Sequence, residues 1–197
     1  ASTSLTAAGN DIGTLAAKMS AANQTFAFSN AHGVSIGTVG PLGGIATSGA
    51  AGNATLTAVA GDVLLAAGAT SIGGALTLAA PTGAVTQSGG SITATGLAVV
   101  AAKSSSLTAG GNNTATLAAE IGGVAQDFAY TDTNALTLGP VASLSGLAVS
   151  GTANIAAATS NLTLAGPVSA GGNLLLTAAA GAVTQSSGTV TATGLAV

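Results

Sequence analysis

The stretch Ala84-Val85-Thr86-Gln87-Ser88 returns at residues 182–186, and the seven residues 93–99 return unchanged at residues 191–197. In both cases the two occurrences lie 98 residues apart. A long internal repeat of this kind makes a chain an array of similar structural units. The fold must therefore be one that can add such units one after another.

The repeat extends over most of the chain. Leu5-Thr6-Ala7 matches Leu107-Thr108-Ala109, here at an offset of 102 residues. The offset falls to 98 later, so about four residues are missing from the second copy near Gly151, in a loop or turn. We therefore predict two repeat units, residues 1–99 and 100–197, within one continuous solenoid.

Short segments of each copy carry a strand pattern. Leu76-Thr77-Leu78, Ile92-Thr93-Ala94 and Leu97-Ala98-Val99 alternate apolar residues with small or polar ones. Glycine, asparagine and serine interrupt such segments about every 8–12 residues, which is typical of strands joined by turns. The 30 glycines and the many threonines and valines disfavour helix.

Two all-β architectures accommodate many short strands, namely an antiparallel sandwich or barrel and a parallel solenoid. The scarcity of Asn-Gly and Asp-Gly turns disfavours the first. The long repeat favours the second, a parallel β-helix with about 20 residues per coil and about five coils per unit. Each strand should pair with the equivalent strand one coil further on.

Composition excludes several classes of function. Aromatic residues make up 2% of a chain that is 48% apolar, which indicates a thin core of small side chains. Two cations, Lys18 and Lys103, are too few to follow a phosphate backbone, so we expect no nucleic-acid partner. Without cysteine, disulfides and thiolate metal sites are excluded. The chain contains no apolar run of about 18 residues, so we predict no membrane span.

Two longer phrases carry a family resemblance. The stretch at residues 83–94 and the stretch at residues 128–139 resemble repeats of filamentous-haemagglutinin-like bacterial surface proteins. That resemblance implies a right-handed parallel β-helix, secretion across a Gram-negative outer membrane, and a role in adhesion or matrix building. It carries no functional residue over to this chain.

The polar residues offer few candidates for chemistry. His32, the single histidine, matches Asn134 in the second copy and is expected in a loop or turn. The acids are scattered, whereas calcium-binding solenoids need a dense run of aspartate and glycine. We expect one weak calcium site at most, and expect Asp127 and Asp132, which flank Tyr130, to be solvated. The five acids are Asp11, Asp62, Glu120, Asp127 and Asp132.

The aromatic residues recur between the copies. Phe26 and Phe28 match Phe128 and Tyr130, and each pair faces one side of a strand. We expect both pairs in the core, in equivalent layers about five coils apart. The alternative is an exposed strip on which a glycan stacks. Four asparagines stand in glycosylation sequons, a number close to chance in a chain so rich in serine and threonine: Asn23, Asn53, Asn112 and Asn161.

These observations predict a non-catalytic structural or adhesive repeat segment of a large secreted bacterial surface or extracellular-matrix fibre protein, with no cofactor. We expect it to be continued by further repeats or by copies stacked end to end, and to meet surface glycans of a host or neighbouring cell. A glycan-binding or carbohydrate-active β-helix would need an aromatic or acidic cleft. An ice-binding solenoid would need threonine pairs in nearly every coil on one flat face.

Overall fold

A computed structural model describes the whole chain, residues 1–197. It contains strands and turns and no helix. The strands, in chain order, are β1 (Thr3–Leu5), β2 (Thr14–Leu15), β3 (Ala17–Ala22), β4 (Phe26–Asn30), β5 (Val34–Ile36), β6 (Thr38–Val39), β7 (Leu42–Gly43), β8 (Ile45–Ser48), β9 (Ala54–Ala58), β10 (Val63–Leu65), β11 (Ala69–Ser71), β12 (Ala75–Ala80), β13 (Val85–Gln87), β14 (Ser91–Ala101), β15 (Ser105–Leu107), β16 (Asn113–Ile121), β17 (Phe128–Asp132), β18 (Leu136–Leu138), β19 (Leu147–Val149), β20 (Ala153–Ala157), β21 (Leu162–Leu164), β22 (Val168–Ala170), β23 (Asn173–Ala178), β24 (Val183–Gln185), β25 (Val190–Thr191) and β26 (Gly194–Ala196).

The strands stack into a parallel β-solenoid of about nine turns. One side is a nine-stranded sheet in the order β2-β5-β10-β13-β15-β17-β20-β23-β26, with one strand from each turn. The other two sides belong to a fifteen-stranded sheet, because the long strands β14 and β16 run from one side to the next and join them. All pairings within these two sheets are parallel, as the sequence predicts; the antiparallel pairings are the β6–β7 hairpin and the single bridge between Val141 and Leu144.

Coils are somewhat longer than the sequence predicts, with roughly 22 residues per turn in place of about 20. The shortest step in the nine-stranded sheet is the 20 residues from Thr86 to Ser106. The longest is the 29 residues from Ser35 to Leu64, because the β6–β7 hairpin is inserted into that coil. Insertions of this kind leave the ladder intact, since they lie at the corner between two sides.

The two repeat units occupy different sides of the solenoid. Strand β4 lies in the fifteen-stranded sheet, while its equivalent β17 lies in the nine-stranded sheet. Conversely, β5 lies in the nine-stranded sheet, while its equivalent β18 lies in the fifteen-stranded sheet. From β4, four complete turns along the paired strands β9, β12 and β14 reach β16. The equivalent of β4, strand β17, follows β16 on the next side of the solenoid. The repeat thus spans four and one third turns, in place of the five predicted, and each unit is rotated by about a third of a turn. The predicted boundary at residues 99 and 100 falls inside β14.

Inward-facing residues of all three sides form one core of 40 buried residues. Along β12 and β17 every second residue is buried, which is the alternation that a strand with one covered face requires. Most of the core side chains are leucine, valine, isoleucine and alanine, so the layer is thin, as the composition predicts.

Glycines with a left-handed backbone form one corner of the solenoid. Gly44, Gly68 and Gly90 lie on successive coils with φ angles of 73°, 80° and 67°. A Cβ on Gly90 would collide with the carbonyl oxygen of Gly68, and one on Gly68 would lie 2.7 Å from the backbone nitrogen of Gly44. Both the backbone conformation and the coil spacing therefore require glycine here.

We expect Gly90→Ala to lower the free energy of unfolding by about 2–4 kcal/mol, because it combines left-handed strain with a backbone collision. Urea denaturation measures the change. Gly110→Ala is the matched control, since a Cβ at Gly110 has no atom within 4 Å and its φ is ordinary, and it should change stability by less than about 0.5 kcal/mol. Equal effects of the two substitutions would contradict the corner's role.

One core position differs between the copies in a way that affects stability. Thr70 is 1% exposed, and its Oγ1 atom has no hydrogen-bond partner. Its repeat equivalent, Val168, occupies the same layer of its own coil and is 1% exposed. A buried hydroxyl without a partner carries its full desolvation cost.

Thr70→Val should raise the free energy of unfolding by about 1–2 kcal/mol, because it removes an unsatisfied hydroxyl at constant volume. The reciprocal change, Val168→Thr, should lower it by about 1–3 kcal/mol. Thermal and urea unfolding of the two variants provide the measurement. The interpretation fails if Thr70→Val is destabilising.

Candidate functional site

His32 lies in the exposed turn between β4 and β5, as predicted. Its Nδ1 atom is 3.2 Å from Oδ1 of Asp11, and both side chains are more than half exposed. A polar contact so open to solvent contributes little to stability. The pair is a surface contact between neighbouring coils.

Three other acids have different positions. Asp62 and Asp127 are exposed corner residues that accept hydrogen bonds from the next coil, Asp62 from the backbone N–H of Ala84 at 2.8 Å and Asp127 from that of Thr152 at 2.7 Å. Glu120 lies on the exposed face of β16. No group of three or more histidine, cysteine, aspartate or glutamate side chains lies close enough together to hold a metal ion.

The structural equivalent of Asp62 is Asn161, since β10 and β21 correspond strand for strand. Sequence alignment pairs Asp62 with Ser160, one residue away, and that pairing is wrong. Asn161 Oδ1 accepts a hydrogen bond from Ala182 N–H at 2.9 Å, the same bond that Asp62 makes with Ala84. An acid and an amide therefore serve the same corner.

The four recurring aromatic residues are buried, as predicted, with exposures of 5% or less. This contradicts the alternative of an exposed strip for glycan stacking. The predicted spacing of five coils between the two pairs is wrong, since they lie four and one third turns apart. Phe26 and Phe28 point inward from the fifteen-stranded sheet, while Phe128 and Tyr130 point inward from the nine-stranded one.

Asp132 is fully buried, so the prediction that it is solvated is wrong. Its Oδ2 atom accepts hydrogen bonds from the hydroxyl of Tyr130 at 2.9 Å and from Thr114 N–H at 2.7 Å. Its Oδ1 atom accepts one from Asn134 N–H at 2.9 Å. The Thr114 hydroxyl lies 2.8 Å from the Tyr130 oxygen and completes the cluster. A carboxylate can be buried here because three donors replace water around it.

This cluster replaces a less polar one in the first copy. The positions of Tyr130 and Thr114 are held there by Phe28 and Ile12, and that of Asp132 by Asn30. Asn30 Oδ1 accepts a hydrogen bond from Ile12 N–H at 2.9 Å, as Asp132 does from Thr114. Sequence reasoning missed the cluster, although the three coordinated replacements between the copies were a signal of spatial contact.

A second corner network lies beside it. Asn112, fully buried, exchanges two hydrogen bonds of 2.9 Å with the side chain of Gln87 one coil earlier. Its Nδ2 also donates to the carbonyl of Leu107 at 3.1 Å, and Asn10 makes the equivalent bond to Leu5 at 2.9 Å in the first copy. Buried amides that bond across coils fix the register of the stack.

All four sequon asparagines have structural contacts. Asn112 is buried in the network just described. Asn23, Asn53 and Asn161 are exposed, and the side-chain oxygen of each accepts a hydrogen bond from a backbone N–H of the next coil. Their first role is therefore to join coils at the corners.

An open groove of about 250 Å³ runs beside β16, which we call the Glu120 groove. Its polar side chains are Glu120, Ser143, Ser145 and Ser169. One wall is the turn between β18 and β19, and the floor is the outer face of β16 and β19. Its lining contains no histidine or aromatic residue, and its hydrogen-bonding side chains are the three serine hydroxyls and the Glu120 carboxylate.

Threonines form a ladder on four successive coils. Thr116, Thr137, Thr163 and Thr184 are neighbours in register along the fifteen-stranded sheet. The ladder is one residue wide, whereas an ice-binding face was expected to need pairs in nearly every coil. It forms part of the uncharged hydroxyl coat that keeps this side of the solenoid hydrated.

Burial raises the pKa of the Tyr130 hydroxyl well above its usual range, and the neighbouring Asp132 carboxylate adds to the effect. The neutral phenol is therefore favoured in the folded chain. Its contribution to stability is complete below about pH 10, the pKa of an unfolded tyrosine, and is lost as the pH rises further.

Between pH 10 and 12 the free energy of unfolding of the natural chain should fall by about 2–3 kcal/mol more than that of Tyr130→Phe. Urea titrations at stepped pH measure the difference. Because both proteins contain the same lysines, the contribution of lysine deprotonation to the pH dependence is removed by the comparison. Tyr130 is the only tyrosine, so tyrosinate absorbance should appear together with unfolding. Ionisation near pH 10 in the folded chain would contradict the burial argument.

In comparisons with protein-family models, curated proteins and solved structures, nothing matches this chain. The structure also has no helix of the length and hydropathy needed to cross a membrane.

Proposed function

We propose that the chain is a structural repeat segment of a large secreted bacterial surface or extracellular-matrix fibre, and that it is not an enzyme. One observation carries the proposal. Two copies of a long repeat run through a single uninterrupted stack of about nine turns, and the second copy continues the ladder of the first. An architecture that adds units without changing its cross-section is suited to building length.

The use of polar side chains supports the same function. Asn112, Asp132, Asp62 and Asn161 all have their hydrogen-bonding groups directed at neighbouring coils. These side chains hold the stack together, and none of them is offered to a ligand. Polar side chains that bond neighbouring coils to each other are expected in a structural protein.

The repeat phrases at residues 83–94 and 128–139 support a place among filamentous-haemagglutinin-like surface proteins. The parallel β-helix of such proteins suits the composition of this chain. With 4% charged residues and no cysteine, the chain depends on its hydrogen-bond ladders for stability. Adhesion to glycans would be a property of the outer surface, where the Glu120 groove supplies hydroxyls and one carboxylate. The burial of all four aromatic residues favours the structural role over a carbohydrate-active one.

Immunogold electron microscopy of the bacterium that produces the chain tests the proposal. Antibodies against the folded chain should label fibres or matrix outside intact cells, because we propose a secreted fibre. An antibody against a cytosolic enzyme, used on the same intact cells, is the control for leakage. Label that appears only after permeabilisation would overturn the proposal.

A further inference from the structure

Lys18 and Glu120 stand at the same position of the two copies, 102 residues apart, and carry opposite charges. Both are exposed strand residues, Lys18 on β3 and Glu120 on β16. The single contact at salt-bridge distance in the chain joins His32 to Asp11. A cation and an acid at equivalent places are therefore both without a charged partner in their own chain.

Each of the two residues begins a row of outward-facing residues that runs along the stack, one residue per coil. The three residues that follow are alanine, serine and threonine in both copies, so the rows differ only in the sign of the charge. The Lys18 row consists of Lys18, Ala46, Ser71 and Thr93, and the Glu120 row consists of Glu120, Ala148, Ser169 and Thr191.

This position faces outward because of its place on the strand. Glu120 has β14 in the coil before it and β19 in the coil after it, and its side chain is exposed between them. Lys18 is the equivalent residue of β3 and lies on the same outer face. Its exposure therefore follows from the alternation along the strand.

The Glu120 groove has the chemistry to hold a lysine side chain. A lysine has an apolar stem and an ammonium group with three donors. The groove offers acceptors in the Glu120 carboxylate and three serine hydroxyls. Its apolar lining includes Leu144, Leu147 and Pro167. Of the two lysines in the chain, Lys18 stands in a row that matches this one, whereas Lys103 lies in the corner after β14.

We propose that the Lys18 side chain of a second copy of this chain occupies the Glu120 groove, with the two solenoids side by side and their axes parallel. The charges are complementary, and the small residues that follow in both rows let the two faces approach. This inference rests on the proposed structural function in taking a copy of the same chain as the partner. The contact is heterologous, so each chain keeps one groove and one lysine free for further copies.

The turns beside the rows do not obstruct this arrangement. The turn at residues 139–146 precedes the Glu120 row along its coil, and the equivalent segment at residues 37–44 precedes the Lys18 row. When two such faces meet with parallel axes, the turn of each chain lies on the opposite flank from that of its partner. Each turn therefore borders the contact, and neither lies between the rows.

Zero-length crosslinking with a carbodiimide tests the contact directly, because it joins a lysine amine to a carboxylate without a spacer. Within one chain, Lys18 and Glu120 lie four and one third turns apart, about 21 Å along the axis at about 4.8 Å per coil. A bond between them must therefore join two chains. In a mixture of ¹⁵N-labelled and unlabelled chains, mass spectrometry should find mixed-label peptides that join Lys18 to Glu120. They should be at least about tenfold more abundant than those joining Lys18 to the exposed Asp127.

Charge reversal tests whether the pair drives association. Lys18→Glu alone and Glu120→Lys alone each place like charges in the contact, so each should weaken self-association in sedimentation at low salt at least about tenfold. An equimolar mixture of the two variants should restore association, because every contact between unlike chains again joins opposite charges. The double variant, whose net charge equals that of the natural chain, should associate as the natural chain does.

Lys103→Glu is the matched control, since it makes the same change of net charge outside both rows, and it should not weaken association. All substituted residues are exposed, and circular dichroism should show the same β-structure in every variant. The proposal is wrong if the mixture and the double variant stay dissociated, if Lys103→Glu acts as strongly as Lys18→Glu, or if no Lys18–Glu120 crosslink forms.

These failures are distinct from failure of the proposed function. Restored association in the mixture, with no immunogold label outside intact cells, would leave the lateral contact standing and remove the surface fibre. Label on extracellular fibres, with no effect of charge reversal, would retain the fibre and remove the contact.

Discussion

The parallel backbone ladder between successive coils is the constraint on which the rest of the structure depends. Each strand's N–H and C=O groups are satisfied by the coils before and after it, so every coil must present the same three sides at nearly the same height. Insertions are confined to corners, where the hairpin β6–β7 lengthens one coil to 29 residues without disturbing the sheets. Leu, Val, Ile and Ala then suffice as a core, because the ladder and not the bulk of the side chains defines the shape.

Corner side chains supplement that ladder. Asn112 with Gln87, and Asp62 or Asn161 with the coil above, bond between coils where the backbone turns and its own pairing lapses. The Tyr130 and Asp132 cluster shows a second solution at the same kind of place, since the first copy fills it with Phe28 and Asn30. Exchange of Phe28 and Ile12 for tyrosine and threonine is tolerated because both new hydroxyls have hydrogen-bond partners beside Asp132.

The sequence predicted the solenoid because alternation and turn spacing are local and repeat often. Leu76-Thr77-Leu78 needs no tertiary information to be recognised as a strand with one buried face. The number of turns per repeat was not accessible in this way, since corner insertions such as Gly40-Pro41 add residues without adding a side. The burial of Asp132 was also missed, because an isolated aspartate is normally solvated and one of its donors, Thr114 N–H, comes from the preceding coil.

The third of a turn by which each copy is rotated has a consequence for the surface of any longer stack. A feature that occurs once per copy moves to the next side with every copy and returns to its first side after three copies, or thirteen coils, roughly 62 Å at about 4.8 Å per coil. Such features follow a coarse threefold screw and never line up as a continuous stripe. An apolar stripe along one side of a nearly uncharged rod would favour side-by-side association, and this rotation keeps any apolar patch that occurs once per copy from forming such a stripe.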